Sequence, residues 1–243
     1  MRLAILQPYL FPYIGYFQLI NAVDRLVVYD DVQYMKGGWI NRNRFLHASE
    51  SEWFTWSVRK DTINALIQER YFSDRSAEDQ TRFLKQMYTA YRRAPFFADT
   101  FPLLENAVSI SELSVARKIT AILRLTCDRL RIHTPFVLSS DLTVDKSMRG
   151  EARVLRICQH ENATHYINPI GGTALYSNDR FAQCGIQLSF LKTRPITYPQ
   201  FGAAFVPNLS IIDIMMFNSL EQIGSLLTEY DLLETGTTGG RRS

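Results

Sequence analysis

Short apolar runs and amphipathic stretches alternate along this chain. Residues 3–6 (LAIL) form a buried-strand pattern that stops at Pro8. Residues 11–22 read as a loop passing into a helix, with Ile14, Phe17, Leu19 and Ile20 on its apolar face. Residues 25–29 (RLVVY) are a second strand pattern, ending in Asp30-Asp31. A strand, a helical crossover and a second strand make a βαβ unit, which implies parallel pairing. Residues 53–58 (WFTWSV) fit a third strand. The pattern then turns helical from about 75 to 134. One helix is predicted over 77–93. Ser109 and Glu112 match a capping box opening another, with Val115, Ile119, Ile122, Leu123, Thr126 and Leu130 on one face.

A strand is expected at 135–139, a helix at 150–162 and a strand at 165–167. A helix at 174–184, stopped by Gly185, leads into a strand at 186–191 and completes a second βαβ unit. The last helix is expected near 209–227. The fold class that follows is α/β: a Rossmann-like parallel sheet with helices on both faces and a helical insertion at about 75–134. Residues 1–233 are expected to form a single domain, and 234–243 (ETGTTGGRRS) a disordered tail.

Composition narrows the class. The 243 residues are 46% hydrophobic and 21% charged, which suits a globular protein. A net charge of +3 is too small to argue for a nucleic-acid partner. No apolar run reaches bilayer length, so no membrane span is expected. Met1-Arg2 leads straight into a strand pattern, unlike a signal peptide. Three scattered cysteines without a CxxC pair suggest free thiols in a reducing cytoplasm. Four histidines without metal-ligand spacing give no metal site.

Ligands of open α/β sheets bind at the carboxyl ends of the strands. Four predicted loops leave such ends: 7–16, 30–44, 168–172 and 192–198. They also hold the most unusual polar content in the chain. The first carries Gln7, Tyr9, Tyr13 and Tyr16. Asp30 and Asp31 alternate across a strand, so they are not expected to act as a dyad. One could serve as a base or accept from a sugar hydroxyl; the other reading is strand termination and turn capping. Asn41, Arg42, Asn43 and Arg44 offer donors suited to phosphate and sugar, or form a solvated edge. Lys146, Arg149 and Arg153 flank a helix start, an anion-site pattern or a charged surface. Asn168, Gly171 and Gly172 enter a helix from a strand, and the glycines would allow a phosphate close to the backbone. Tyr198, Gln200, Phe201, Ser210 and Asp213 are ambiguous; Ser210 and Asp213 fit a capping box best.

Five segments together resemble the WbqC-like protein family: QPYLFPYIGYFQLI, DRLVVYDDVQYMKGGWINRNRF, GEARVLRICQHENATHYINPIGGTALY, GIQLSFLK and FVPNLSIIDIMMFNS. The resemblance covers roughly 3–46 and 150–220. It implies a bacterial protein of O-antigen or other surface-polysaccharide precursor biosynthesis. A second resemblance concerns layout alone. A strand, a proline and Tyr13-Ile14-Gly15-Tyr16 at a helix start are similar to the HxGH signature of the nucleotidylyltransferase and pantothenate synthetase superfamily. Tyr13 and Tyr16 stand where that signature has histidines.

These features favour an enzyme that transfers an acyl or aminoacyl group to a sugar or sugar nucleotide, forming an amide. Tyr13 or Tyr16 would stabilise developing charge, and Asp30 or Asp31 would take the amine proton. Arg42, Arg149 and Arg153 would hold phosphates. The partner is then a small molecule, a sugar or nucleotide sugar, with acyl-CoA or ATP with Mg²⁺ as candidate cofactors. Nucleotidyl transfer from an NTP and a non-catalytic assembly role in a glycan-synthesis complex are the alternatives.

Overall fold

A computed structural model describes residues 1–202 and 204–234. The tail expected to be disordered lies, from 235 onward, outside the described residues. The first βαβ unit comprises β1 (Arg2–Leu6), α1 (Ile14–Ala22) and β2 (Arg25–Val28). β1 and β2 are parallel, Leu3 facing Arg25 and Leu6 facing Val28. A hairpin of β3 (Arg42–His47) and β4 (Glu50–Thr55) follows. Three helices come next: α2 (Ser76–Tyr91), α3 (Phe97–Ser109) and α4 (Val115–Arg129). The chain re-enters the sheet as β5 (Phe136–Leu138), then α5 (Gly150–His160) and β6 (His165–Pro169). It ends with α6 (Asn178–Gln183), β7 (Gln187–Thr193), α7 (Ile211–Phe217), α8 (Leu220–Leu226) and β8 (Tyr230–Leu233).

The six-stranded sheet has the order β5-β2-β1-β6-β7-β8. All neighbours are parallel except β7 and β8. Alternate residues of β1 and β2 feed two cores. Ala4, Leu6, Leu26 and Val28 join α1 and α4 on one face. Leu3, Ile5 and Val27 join α5 and α6 on the other. A strand buried on both faces reads as a continuous apolar run, which is why LAIL and RLVV show no alternation. The Rossmann-like α/β class is therefore the fold. Strand order reverses between β1 and β6, and at such a point the loops on either side diverge and open a crevice.

Several local expectations change. Residues 53–58 do not extend the parallel sheet, because 50–55 pair antiparallel with 42–47 in a separate two-stranded sheet. Ala48 (φ 49°) and Ser49 (φ 67°) make the tight turn, both left-handed. Hairpin turns of that kind usually carry Asn-Gly or Asp-Gly, so this one gave no sequence signal. Ser109 and Glu112 open no helix: Ser109 ends α3, and the Ser114 hydroxyl caps α4 by accepting from Arg117 N–H at 3.4 Å. α3 was hidden by Pro102, ordinarily a breaker signal. The helix expected at 174–184 shortens to Asn178–Gln183, preceded by a 3₁₀ turn over Ile170–Leu175. The final helix is two helices, split at Asn218 and restarted by a Ser219–Gln222 capping box.

Candidate functional site

The loop after β1 is held from three sides. Leu10 N–H donates to Ile40 O at 3.0 Å. Asn43 Nδ2, on buried β3, donates to Leu10 O at 3.1 Å and Phe11 O at 2.8 Å. The Ser210 hydroxyl donates to Phe11 O at 2.7 Å, and Ile211 N–H to Pro12 O at 2.8 Å. These bonds hold Phe11 at φ 44°, a region that costs a bulky residue energy. The result is a fixed platform from which Tyr9 and Tyr13 project. Gly15 lets that platform close: a Cβ there would lie 2.4 Å from the Tyr13 ring and 2.6 Å from Thr193 Oγ1.

Two cavities share Tyr13 and Asn208 as walls. One, of about 450 Å³, is bounded by Tyr9, Pro12, Trp39, Asn43 and Arg44. The other, of about 390 Å³, runs along 193–198 to Phe205 and Ile214. Together they form a cleft made by the loops that leave β1, β2 and β7, all at the carboxyl edge of the sheet. Arg44 donates from Nη2 to Asn208 O at 3.2 Å, and its Nε is buried without a partner. Its guanidinium lies 5.6 Å from the Trp39 ring and 5.9 Å from the Trp53 ring. The two indoles are themselves 5.2 Å apart and about 40% exposed. Amphipathic rings beside fixed donors suit a sugar or a base. Burial raises the Tyr13 phenol above its ordinary value, and burial with neighbouring Tyr13 does the same for Tyr9. Both phenols are therefore hydrogen-bond donors at neutral pH.

Beside the second cavity sits a buried carboxylate. Asp213 Oδ2 accepts from the Tyr198 hydroxyl at 2.7 Å and from Gln200 Nε2 at 2.6 Å. Oδ1 accepts from the Tyr91 hydroxyl at 2.8 Å. Burial raises the Asp213 carboxyl, with the three donors pulling the other way. The Tyr198 phenol is also raised, by burial and then by the Asp213 charge. Tyr198 lines the cavity, so its oxygen connects the cleft to Asp213. Ser210 does cap α7, accepting from Ile212 N–H at 3.3 Å, but Asp213 turns inward and takes no part in a box.

Asp30 and Asp31 follow the end of β2, so strand alternation does not separate them. Both reach the Ser139 hydroxyl after β5, Asp30 Oδ1 at 3.0 Å and Asp31 Oδ1 at 2.6 Å. The placement on opposite faces that strand alternation implied is thus corrected: both carboxylates accept from one hydroxyl. Asp30 also accepts from Ser140 N–H at 2.9 Å and from its hydroxyl at 2.7 Å. Asp31 Oδ2 pairs with Arg153 Nη2, both side chains 2% exposed. Arg153 Nη1 donates to Asp145 O at 3.0 Å. Arg153 therefore points into the protein from α5, while Arg149 stays exposed and donates to Lys146 O and Met148 O.

The remaining candidates are placed as follows. Tyr16 is buried, and its hydroxyl donates to Gln7 O at 2.8 Å. Asn41 bridges the Tyr34 hydroxyl and Trp56 O, at 2.8 and 2.7 Å. Arg42 donates to Gly37 O and Gly38 O and lies 4.4 Å from the Trp53 ring. Asn168 accepts from the Tyr166 hydroxyl at 3.0 Å and donates to Pro169 O at 3.0 Å. Its side chain fills the space against Gly172, where a Cβ would come within 1.9 Å of Nδ2; Gly171 faces open space. So Tyr9, Tyr13 and Asn43 come together at the cleft, while Asp30, Asp31 and Arg153 form a separate buried network. Trp39, Arg44, Tyr198 and Asn208 complete the cleft, with Asp213 buried behind Tyr198. Arg44 had a signal two residues after Arg42, since alternate strand residues share a face. Asn208, at φ 57°, had none.

The fold and cleft define an α/β protein with a cleft over the carboxyl edge of its sheet. A family comparison makes this specific: residues 7–225 match the WbqC-like protein family, and the chain belongs to it. It is also similar to the uncharacterized protein Rv1507c of Mycobacterium tuberculosis, at 27% identity over 217 residues, 88% of this chain and 92% of the relative. No solved structure matches the chain.

Proposed function

We propose that this WbqC-like chain acts in surface-polysaccharide precursor biosynthesis, joining an acyl or aminoacyl group to an amino sugar or its nucleotide. The observation that carries this reading is the cleft on either side of Tyr13, with a donor-rich aromatic wall at Arg44 and a phenol–carboxylate pair at Tyr198. The sugar stacks on Trp39 beside Tyr9 and Arg44. The amine attacks the carbonyl carbon of an acyl thioester, the carbon–nitrogen bond forms and the carbon–sulfur bond breaks. The Tyr13 hydroxyl donates to the carbonyl oxygen as negative charge develops there. Tyr198 oxygen accepts the amine proton while its own proton passes to Asp213 Oδ2, and the proton finally leaves on the thiol. Asp213 takes the base role first considered for Asp30 and Asp31, whose oxygens are occupied by Ser139, Ser140 and Arg153.

The test is thiol release from acyl-CoA in the presence of amino-sugar nucleotides. Tyr13→Phe and Tyr198→Phe are each expected to lower turnover by about 100-fold or more, with an unchanged melting temperature for Tyr13→Phe and a lowered one for Tyr198→Phe, which strips a donor from buried Asp213. Turnover equal to that of the unmodified protein in both variants rejects the mechanism. Pyrophosphate release dependent on an NTP and Mg²⁺ supports nucleotidyl transfer instead. A melting shift without turnover supports an assembly role.

A further inference from the structure

A third cavity, larger than either part of the Tyr13 cleft, lies away from it. It holds about 740 Å³ between the segment after β2, strand β3 and the 58–63 loop. Lys36, Arg42, Arg59, Lys60 and Arg70 line it, against one carboxylate, Asp61. Arg59 leans toward exposed Asp74 at 3.5 Å. Lys36 and Lys60 form no ion pair among the described residues.

Arg70 is the telling member. It is 8% exposed, yet the nearest carboxylate oxygen, on Asp61, is 3.9 Å away. Its Nη2 donates to Arg59 O at 2.7 Å, its guanidinium lies 4.8 Å from the Tyr34 ring, and its Nε is buried without a partner. A guanidinium taken out of water needs an anion and filled donors to offset the desolvation. Here it has a carbonyl, a ring face and a distant carboxylate. Five cations around one concave space, set against Asp61 in its wall and Asp74 beside Arg59, leave a surplus of three positive charges. A single phosphate is small for that volume, which matches the range of small-molecule sites.

We propose that this cavity binds a diphosphate-bearing small molecule, with Arg70 as the buried anchor and Lys36, Arg59 and Lys60 as outer contacts. Arginine forks take phosphate oxygens in pairs, and the lysines add point charges. The proposal is independent of acyl transfer at Tyr13, because it concerns binding alone.

Calorimetric titration of the full chain with inorganic pyrophosphate at low salt tests it. One site per chain is expected. The double variant Arg59→Ala/Lys60→Ala should weaken binding by at least about 10-fold, as should Lys36→Ala from the opposite wall, with melting temperatures unchanged. Absence of saturable binding by the unmodified protein overturns the proposal. So does unchanged affinity in both variants.

Discussion

Asp213 stands three residues after Ser210, and that spacing alone suits a capping box. What the spacing could not convey is that Tyr91, Tyr198 and Gln200 arrive from two other parts of the chain. The same holds for Asp31, whose partner Arg153 is 122 residues away. Single residues were legible as polar and unusual; their partners were not, because partnership is set by packing. Asp213 has a pH signature. Its native carboxyl is raised above the unfolded value, so the folded protein holds the proton more tightly. The resulting stability is fully present below the unfolded value, about pH 4, and is lost as pH rises through the raised native value. Urea unfolding of the unmodified protein and Asp213→Asn should therefore give a stability difference that moves against the unmodified protein as pH rises from about 4 to 7. A difference that stays flat, or moves in its favour, contradicts the assignment.

At the scale of elements, the glycines after β6 separate two meanings of one motif. Asn168-Pro169-Ile170-Gly171-Gly172 read as a place for a phosphate against the backbone. The Asn168 side chain occupies that place at Gly172. Gly172→Ala is expected to cost about 1–3 kcal/mol by overpacking, whereas Gly171→Ala, facing open space, should stay within about 0.5 kcal/mol. Equal costs in chemical denaturation would show that Asn168 moves aside freely. The loop after β1 gives a second case. Among the described residues, Asn43→Ala strips the only side-chain donor from buried Leu10 O and one of two from Phe11 O. A loss of about 1–3 kcal/mol is expected, together with weaker ligand-induced stabilisation, since Tyr9 and Tyr13 stand on that loop. Unaltered unfolding midpoints would remove Asn43 from this role. The aromatic opening of the chain signalled such a loop, but not that β3 and α7 hold it, because the Ala48-Ser49 turn gave no hairpin signal and β3 read only as a solvated edge.

For the molecule as a whole, one sheet separates two cores; the apolar runs marked its strands and two βαβ units, while the order β5-β2-β1-β6-β7-β8 is set by packing and had no sequence signal. A polar connection spans the two layers at the carboxyl edge. Asp30 and Asp31 leave β2, Ser139 and Ser140 leave β5, and Arg153 comes from α5 on the second face. Residues after Asp31 go on to wall the large basic cavity, so this network fixes the base of that wall. A buried pair of this kind contributes little when compared with apolar residues of similar size, but loses much when one partner is removed. Arg153→Met alone should cost about 3–5 kcal/mol, because it strands the Asp31 charge at 2% exposure. The double change Asp31→Leu/Arg153→Met should recover most of that loss while leaving the segment after β2 less well held. Denaturant unfolding measures the first effect, and pyrophosphate titration of the double variant the second. If the single variant is as stable as the parent, the two layers are joined by packing alone, and the network has no hold on the cavity wall.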